Sequence, residues 1–434
     1  MTVIGLDDTD SRSEGMCTTY LASRLAARIE AADGRVDRRL LIRLNPAVAH
    51  KTRGNAALAL HTDLPAAEAV EFACEEIDTL AIGTDARTSP GFVVAPGDPT
   101  AIPDAVSDFA RRALREQLDL STAIGLADDA GYSHRGWAGE GCAVRGRGRI
   151  GALAAVGAWH AFDEWTTEHI AYREFDRCGT PRAVDETAVF DAAASAYPTV
   201  WDTVDRGAGE TVCVPNAPGP ILFGIRGDDS AAVERVAADI AAADTTEPVD
   251  CSATFLTNQG TDHHLTAGRI GALREGRSYR VDGVVSEPPE TRRGGHVFFT
   301  LENPETAAAV ACVAFEPTKR FRDHVRAFRV GDRLTVCGEH TDGTIKLEKF
   351  AVRSLVRTER VTPTCPDCGR RMKSAGRDQG YRCRDCSTVG KDKVPRQVER
   401  ALEIGWYEVP PSARRHIAKP LVRGGFDAPS HRER

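Results

Sequence analysis

The run Val3-Ile-Gly-Leu-Asp-Asp-Thr-Asp-Ser11, followed by Glu14-Gly-Met-Cys-Thr-Thr19, decides the fold of the first part of the chain. Its apolar beginning predicts a buried strand over residues 3–6. Apolar residues at four-residue spacing then predict a helix over residues 17–30. Strand-like and helix-like segments alternate in this way to about residue 275. The alternation predicts α/β layers in this part of the chain.

An acidic cluster follows the first predicted strand directly. Three carboxylates this close together repel one another unless a cation or hydrogen-bond donors compensate. Oxygen ligands of this kind suit Mg²⁺, and the start of the next helix offers free N–H groups to a phosphate. The sequence therefore predicts a site for magnesium and ATP, with an Asx-rich turn and a helix cap as the alternative. Its predicted residues are Asp7, Asp8, Asp10, Gly15, Thr18 and Thr19.

Two polar segments elsewhere in the chain are further candidates for the substrate site. His50-Lys-Thr-Arg-Gly-Asn55 places cations beside a glycine, which is typical of a phosphate clamp or of an ordinary solvated turn. Asn258-Gln-Gly-Thr-Asp-His-His264 follows a predicted strand and favours a ligand-shaping loop, with a metal site as the alternative. The predicted substrate-binding residues are Lys51, Arg53, Asn55, Asn258, Gln259 and Asp262.

The segment Arg145-Gly-Arg-Gly-Arg-Ile-Gly151 matches the dinucleotide-binding pattern Gly-x-Gly-x-x-Gly. Only a short apolar stretch precedes it, and no second strand ending in an acid follows at the spacing that a Rossmann fold requires. We therefore interpret these glycines as a flexible or closely approached backbone, not as a redox cofactor site.

Between Ser278 and Leu355, the predicted secondary structure changes from alternating strands and helices to mainly strands. Five short strand-like runs, with a helix-like run at Phe321–Phe328 after the third, give the element order of an OB-fold. A structural β-barrel of another kind is the alternative. Cations interleave with rings around the short helix, and we assign RNA binding to the cations and core packing to the rings. The predicted RNA contacts are Lys319, Arg320, Arg322 and Arg326.

Two Cys-x-x-Cys pairs, Cys365/Cys368 and Cys383/Cys386, have the spacing of a zinc ribbon. Four thiolates satisfy tetrahedral Zn²⁺ and leave no open position, so the metal is expected to be structural and not catalytic. A redox pair is the less favoured interpretation. Cations surround one tyrosine on the module, which favours binding of unpaired RNA over docking of a protein. The predicted contacts are Arg371, Lys373, Tyr381 and Arg382.

Charge is unevenly distributed along the chain. The 434 residues carry a net charge of −7, yet residues 361–434 hold 16 Lys and Arg against 9 Asp and Glu. A basic C-terminal region on an otherwise acidic chain indicates a binding site for a polyanion. The alternative is an ordinary solvated surface. No apolar run approaches the roughly 20 residues of a membrane-spanning helix, and no signal-peptide pattern opens the chain. We expect a cytoplasmic protein without a membrane partner.

The length predicts several domains. We place an ATP-binding catalytic domain at 1–195, which could interleave with its neighbour, and a second α/β unit at 196–275. An OB-fold at 276–357, a zinc ribbon at 361–390 and a basic C-terminal tail at 391–434 complete the division.

The same segments carry a resemblance to a known family. The motifs occur in the order found in an archaeal tRNA-modifying enzyme. They are Gly5–Ser11 with Gly15–Tyr20, then Lys51–Asn55, Asn258–Asp262, the OB-like segment and the four-cysteine ribbon. The chain resembles the synthetase that makes 2-agmatinylcytidine in a minor isoleucine tRNA. The resemblance covers essentially the whole chain.

The resemblance implies a kinase-like domain, a ferredoxin-like domain, an OB-fold and a zinc ribbon. It implies that agmatine replaces the C2 oxygen of the wobble cytidine at the expense of ATP, so that decoding switches from AUG to AUA. Carried onto this sequence, Asp7, Asp8 and Asp10 hold Mg-ATP and Thr18 accepts phosphate. The alternatives are a non-catalytic nucleic-acid-binding factor and an ATP-dependent modifier that uses another amine. The sequence does not indicate an oligomeric state.

Overall fold

The structure is a computed structural model that describes residues 1–12, 14–48, 54–142 and 144–434. Within these ranges, its first unit contains five strands and five α-helices. The strands are β1 (Thr2–Asp7), β2 (Val36–Arg43), β3 (Ala56–Thr62), β4 (Gly91–Pro96) and β5 (Ser133–Gly136). The helices are α1 (Thr18–Ala31), α2 (Ala66–Leu80), α3 (Asp104–Ala113), α4 (Leu120–Asp129) and α5 (Arg149–Ala161). The strand and helix predicted from the opening run are thus confirmed as β1 and α1.

Strand β1 is covered on both faces because its side chains alternate. Val3 packs in the core under α3 and α5, whereas Ile4 and Leu6 pack in the core under α1 and α2. Gly5 faces α5, and a Cβ there would overlap the backbone carbonyl of Ala152. The end of β1 is therefore fixed between two helical layers, where the acidic cluster begins.

The second unit continues the same sheet. It contains β6 (Thr166–Tyr172), α6 (Glu186–Ala196), β7 (Val200–Trp201), β8 (Val204–Asp205), β9 (Glu210–Thr211), β10 (Ile221–Gly227), α7 (Ser230–Ala241) and β11 (Cys251–Thr257). The nine-stranded sheet has the order β5-β4-β1-β3-β2-β11-β6-β10-β7, and β2 and β11 pair in parallel where the units meet. Strand β6 precedes residue 195 but pairs with β10 and β11, so elements on both sides of the predicted boundary share one sheet.

A five-stranded barrel follows, which confirms the OB-fold prediction. Its strands are β13 (Arg277–Thr291), β14 (Val297–Glu302), β15 (Ala309–Ala314), β16 (Arg333–Thr341) and β17 (Thr344–Ser354), with α8 (Phe321–Arg326) after the third and β12 (Leu265–Ala267) alongside β13. The ladder β13-β14-β15-β17-β16 closes on β13. Phe321 and Phe328 lie in the barrel core, as we predicted for the rings.

The ribbon contains β18 (Thr358–Val361), β19 (Lys373–Ser374), β20 (Tyr381–Arg382), β21 (Val389–Gly390) and β22 (Val394–Gln397). The C-terminal segment then folds back, and β23 (Gly405–Glu408) pairs with β17 while β24 (Ser430–His431) pairs with β23. Several of its arginines bind acids of the folded body instead of facing solvent. The pairs are Arg400–Asp332, Arg414–Asp202, Arg414–Glu408 and Arg423–Asp228. No helix in the described ranges has the length and hydropathy to cross a membrane.

Buried ion pairs join the barrel to the loop after β11. Lys349 on β17 binds both carboxylate oxygens of Asp262, and His264 lies 2.9 Å from the Glu348 carboxylate. Burial by itself would raise the pKa of Glu348, but His264, followed by Arg415 and Lys349, lowers it to about 2. The junction between barrel and sheet therefore depends on charge.

This junction predicts a loss of stability in acid. The lowered pKa stabilises the fold above the unfolded value near 4.5, and the stabilisation disappears as pH falls from there through about 2. We expect Glu348→Gln to reduce the free energy of unfolding by ~3 kcal/mol at neutral pH, with the difference shrinking in acid. Urea unfolding of both proteins across this pH range measures the effect. Glu305→Gln, at an exposed ion pair with Arg269, is the matched control and should change little. A Glu348→Gln difference that stays constant with pH contradicts the assignment.

Candidate active site

The predicted acids lie at the end of β1, around a cavity of about 110 Å³ that we call the acid cavity. Asp7, Asp8 and Asp10 line it together with Asn55 and Arg147. Asp7 Oδ1 accepts a hydrogen bond from the Asp8 amide at 2.6 Å, and Asp8 has a left-handed backbone with φ of 60°. Burial and the adjacent Asp8 charge raise the pKa of Asp7 well above its ordinary value. The three carboxyl groups predicted to converge do so.

Thr18 begins helix α1 and is held by the last acid of the cluster. Its backbone N–H donates to Asp10 Oδ1 at 2.6 Å, and its hydroxyl lies 3.2 Å from the same oxygen. Thr9 Oγ1 is 3.1 Å from Thr18 Oγ1. Asp10 thus caps the helix and positions a buried hydroxyl, so the alternative of a capped turn describes the local bonding without excluding a catalytic role.

A second cavity of about 280 Å³, which we call the threonine cavity, adjoins the acid cavity at Asp10. Thr18 and Thr19 line it, and Asp10 and Ala56 line both cavities. Gly15, with φ of 90°, lies against Cys178 and Pro218, and a Cβ there would come within 2.6 Å of the Pro218 carbonyl oxygen. Gly15 therefore lets the loop before α1 pack closely against the second unit.

The glycine-rich loop before α5 forms another wall of the acid cavity. Cβ atoms on Gly148 or Gly151 would overlap backbone and side-chain atoms of Asp7, so the close-approach interpretation of these glycines is confirmed. Arg147, directly before Gly148, donates to Asp8 Oδ2 at 2.5 Å. Sequence reasoning missed Arg147. Its position inside the motif was the available signal, but the comparison with the Rossmann pattern did not use it.

Three further charged residues were also missed. Glu168 on β6 lies between Arg43 at the end of β2 and Arg226 on β10, at 3.9 and 3.8 Å, and all three line the threonine cavity. Of the three, only Arg226 is the single charged residue of an otherwise apolar strand, so the sequence offered little signal for the cluster. The sheet order brings them together from separate parts of the chain.

The predicted polar segments lie close to these cavities but are mostly bonded internally. The Asn55 amide donates to the Asn45 carbonyl at 2.7 Å. Asn258 bridges both backbone groups of Arg43, and Gln259 donates to Glu168. Asp262 binds Lys349. Lys51 and Arg53 lie outside the described residues.

The cations predicted on the OB-fold all make ion pairs within the chain. The pairs are Lys319–Glu210 at 2.5 Å, Arg320–Asp205 at 2.9 Å, Arg322–Glu316 at 3.2 Å and Arg326–Asp323 at 2.5 Å. Two of these pairs, those of Lys319 and Arg320, connect the barrel to the second unit. RNA binding by these four residues stays a prediction, because each would exchange an internal partner for phosphate.

The ribbon brings its four cysteines together. The sulfur atoms of Cys365, Cys368, Cys383 and Cys386 lie within 4.8 Å of one another, the only such group of metal donors among the residues that the structure describes. Gly369 and Ser387 have φ of 71° and 59° at equivalent positions after the two cysteine pairs. The donor chemistry fits Zn²⁺. Arg371, Lys373 and Arg382 are exposed around the half-buried Tyr381.

The ribbon core is too small to fold without its metal. It consists of Cys365, Met372 and Cys383, with Tyr381 packed against them. We expect chelation, or Cys365→Ser, to make residues 362–390 sensitive to protease and to weaken tRNA binding, with the melting temperature of the remaining protein unchanged. Proteolysis followed by mass spectrometry locates the cleavage. Cys213→Ser, outside the ribbon, should not open it, and a chelated ribbon that resists protease contradicts a structural metal.

The carboxylates and buried threonine, joined to a barrel and a ribbon that suit RNA, define an ATP-dependent RNA-modifying enzyme. Family models agree with this class: the TiaS TCKD domain matches residues 3–64, the TiaS FLD domain residues 146–264, and the TiaS C-terminal zinc ribbon domain residues 362–402. The isoleucine tRNA 2-agmatinylcytidine synthetase TiaS of Haloquadratum walsbyi is 56% identical over 472 aligned positions that cover all of both chains. The chain belongs to the TiaS family.

Solved structures give the same result for the fold. The complex of TiaS with its isoleucine tRNA and ATP superimposes with a TM-score of 0.88 at 40% identity and covers 100% of this chain and 99% of that one. The complex of TiaS with the same tRNA, AMPCPP and agmatine gives a TM-score of 0.85 at 38% identity with the same coverage. The multidomain architecture expected from the resemblance is thereby confirmed.

Proposed function

We infer that this chain attaches agmatine to C2 of a cytidine in the minor isoleucine tRNA at the expense of ATP. The relatives named above include complexes with that tRNA, ATP, AMPCPP and agmatine, and the similarity covers the whole chain. We propose further that the target is the wobble cytidine, that the modification switches decoding from AUG to AUA, and that the enzyme acts in the cytoplasm.

The observation that carries the mechanism is that Asp10 lines both cavities and bonds Thr18. The acid cavity, at 110 Å³, is smaller than the roughly 300 Å³ at which small-ligand pockets begin. A nucleotide held at Asp7 and Asp8 therefore extends beyond this cavity. If the nucleotide extends into the threonine cavity, its transferable phosphoryl group meets the Thr18 hydroxyl.

The chemistry requires activation of a poor leaving group. The terminal phosphoryl group of ATP breaks its bond to the bridging oxygen and forms a new O–P bond, with Thr18 Oγ1 as the proposed acceptor and Asp10 as the base for its proton. The C2 oxygen of the cytidine then takes this phosphoryl group: its O–P bond forms, and the Thr18 Oγ1–P bond breaks. The amine of agmatine attacks C2 next. The C–N bond forms, the C–O bond breaks, phosphate departs with the oxygen, and the amine releases a proton.

Magnesium fits the donor set at the end of β1. Asp7 and Asp8 offer only carboxylate oxygens, the ligands that Mg²⁺ prefers, and they lie beside the cationic Arg147. Bound there, the ion would neutralise charge on the ATP phosphates. Arg147, in turn, orients Asp8 through its hydrogen bond.

Reconstitution tests the proposal. The full chain is mixed with ATP, Mg²⁺, agmatine and a transcript of the minor isoleucine tRNA, and the digested nucleosides are analysed by mass spectrometry. We expect a cytidine heavier by one agmatine less one water. The matched control is the same tRNA with uridine at the wobble position, which should not react. Absence of product with folded protein and bound tRNA overturns the function and favours a non-catalytic RNA-binding factor. Replacing agmatine by other diamines tests the choice of amine.

A further inference from the structure

The guanidinium groups of two buried arginines in the threonine cavity form no hydrogen bond within the part of the chain that the structure describes. The carboxylate oxygens of Glu168 lie 3.9 Å from Arg43 and 3.8 Å from Arg226. The Nε atoms of both are shielded from solvent and unpaired. Only 6% of the Arg226 side chain and 14% of the Arg43 side chain are exposed. A buried donor without an acceptor destabilises the fold. Such a donor is tolerated where a ligand supplies the missing acceptor.

Glu168 is the counter-charge that the two guanidinium groups share. Its Oε2 lies 3.9 Å from Arg43 and its Oε1 lies 3.8 Å from Arg226, both longer than a hydrogen bond. Gln259 occupies one of these oxygens with its amide. Within this cluster of three residues, two positive charges thus face one negative charge, and the second carboxylate of the cavity, Asp10, is bonded to Thr18.

The cluster opens onto the proposed phosphate acceptor. Arg43 and Arg226 line the same cavity as Thr18 and Asp10, and helix α1 directs its N-terminal turn into that space. Guanidinium groups bind phosphoryl oxygens through two parallel hydrogen bonds, and in phosphoryl transfer they stabilise the charge of the transition state.

We propose that Arg43 and Arg226 bind the transferred phosphoryl group between them, beside Thr18. This inference rests on the proposed function and assigns two residues to its phosphate step. Glu168 serves as the counter-charge that balances the two arginines while the cavity is empty, and Gln259 fixes its orientation. Both arginines are catalytic residues in this scheme because they touch the reacting group.

Direct binding of inorganic phosphate tests the site without turnover. Phosphate is titrated against the full chain and followed by ³¹P NMR, for wild type and for Arg226→Gln, Arg43→Gln and Glu168→Gln. We expect each arginine variant to bind at least about 10-fold more weakly, since a charge-assisted contact is lost. Glu168→Gln should bind more tightly because it removes the competing negative charge. Arg177→Gln, whose ion pair with Glu247 lies outside both cavities, is the matched control.

Kinetics separate this site from an agmatine site. Arg226→Gln should lower kcat about 100-fold with the KM for agmatine unchanged, and Arg226→Lys should restore part of the rate. The result that overturns the proposal is a raised KM for agmatine in Glu168→Gln, together with phosphate affinity that none of the variants changes. Wild type that makes product but binds no phosphate also overturns it, whereas wild type that makes no product overturns the proposed function instead.

Discussion

Thr18→Ala is expected to abolish formation of agmatinylcytidine and to leave tRNA binding intact. The variant removes the hydroxyl that Asp10 and Thr9 hold at the start of α1. It leaves the backbone bond between the Thr18 amide and Asp10 in place. If phosphate passes through this hydroxyl, product formation falls to roughly a thousandth of the wild-type rate or below, the loss typical of a removed nucleophile. Product per enzyme is measured by mass spectrometry of digested tRNA, and tRNA affinity by filter binding.

Two further variants make this result specific. Thr18→Ser keeps a hydroxyl at the same atom and should retain a substantial part of the activity. Ser23→Ala removes a hydroxyl further along the same helix, where it donates to the Thr19 carbonyl, and should stay close to wild type. The lost bond costs about 1 kcal/mol of stability, so the assay temperature is kept well below the melting temperature. Wild-type activity in Thr18→Ala excludes this hydroxyl from the mechanism.

Asp8→Asn should reduce tRNA-stimulated ATP turnover about 100-fold or more, because it removes a carboxylate that we propose faces the ATP phosphates and their magnesium. Asp8 has φ of 60°, a conformation that Asn adopts as readily as Asp, so the substitution removes charge without straining the loop. The amide oxygen can still accept from Arg147. The expected loss is of the size usually found for one preorganised electrostatic group.

Asp33→Asn is the matched control for this prediction. Asp33 has the same φ of 60°, is exposed, and follows the other end of α1, so it tests the backbone effect alone. Release of phosphate from ATP is followed with and without the minor isoleucine tRNA, and tRNA affinity is measured in parallel. If Asp8→Asn keeps full ATP turnover, the acidic cluster is structural. The ATP turnover would then have to come from another site of the chain.

The features that sequence reasoning found are those encoded within a few residues of one another. The carboxylates after β1 and the threonine at the start of α1 lie within one strand-loop-helix, where chain connectivity alone brings them together. The cysteine pairs of the ribbon are local in the same sense, and the order of strands around α8 was sufficient for the OB-fold. At Asn258–Asp262 the polar character was recognised, but its partners were not: Lys349 lies on a barrel strand 87 residues away from Asp262.

By itself, the sequence determined the acidic cluster with its capped threonine, the barrel and the metal ribbon, because each depends on short-range spacing and side-chain chemistry. Only the tertiary structure decided that Arg43, Glu168 and Arg226 share one cavity, since their positions follow from the register and order of strands β2, β6 and β10. It also decided that arginines of the basic C-terminal segment pair with acids of the folded body. The physical reason is that a charged side chain pairs with the opposite charges that lie near it in the folded protein. These partners are far away in the sequence, so the sequence does not identify them.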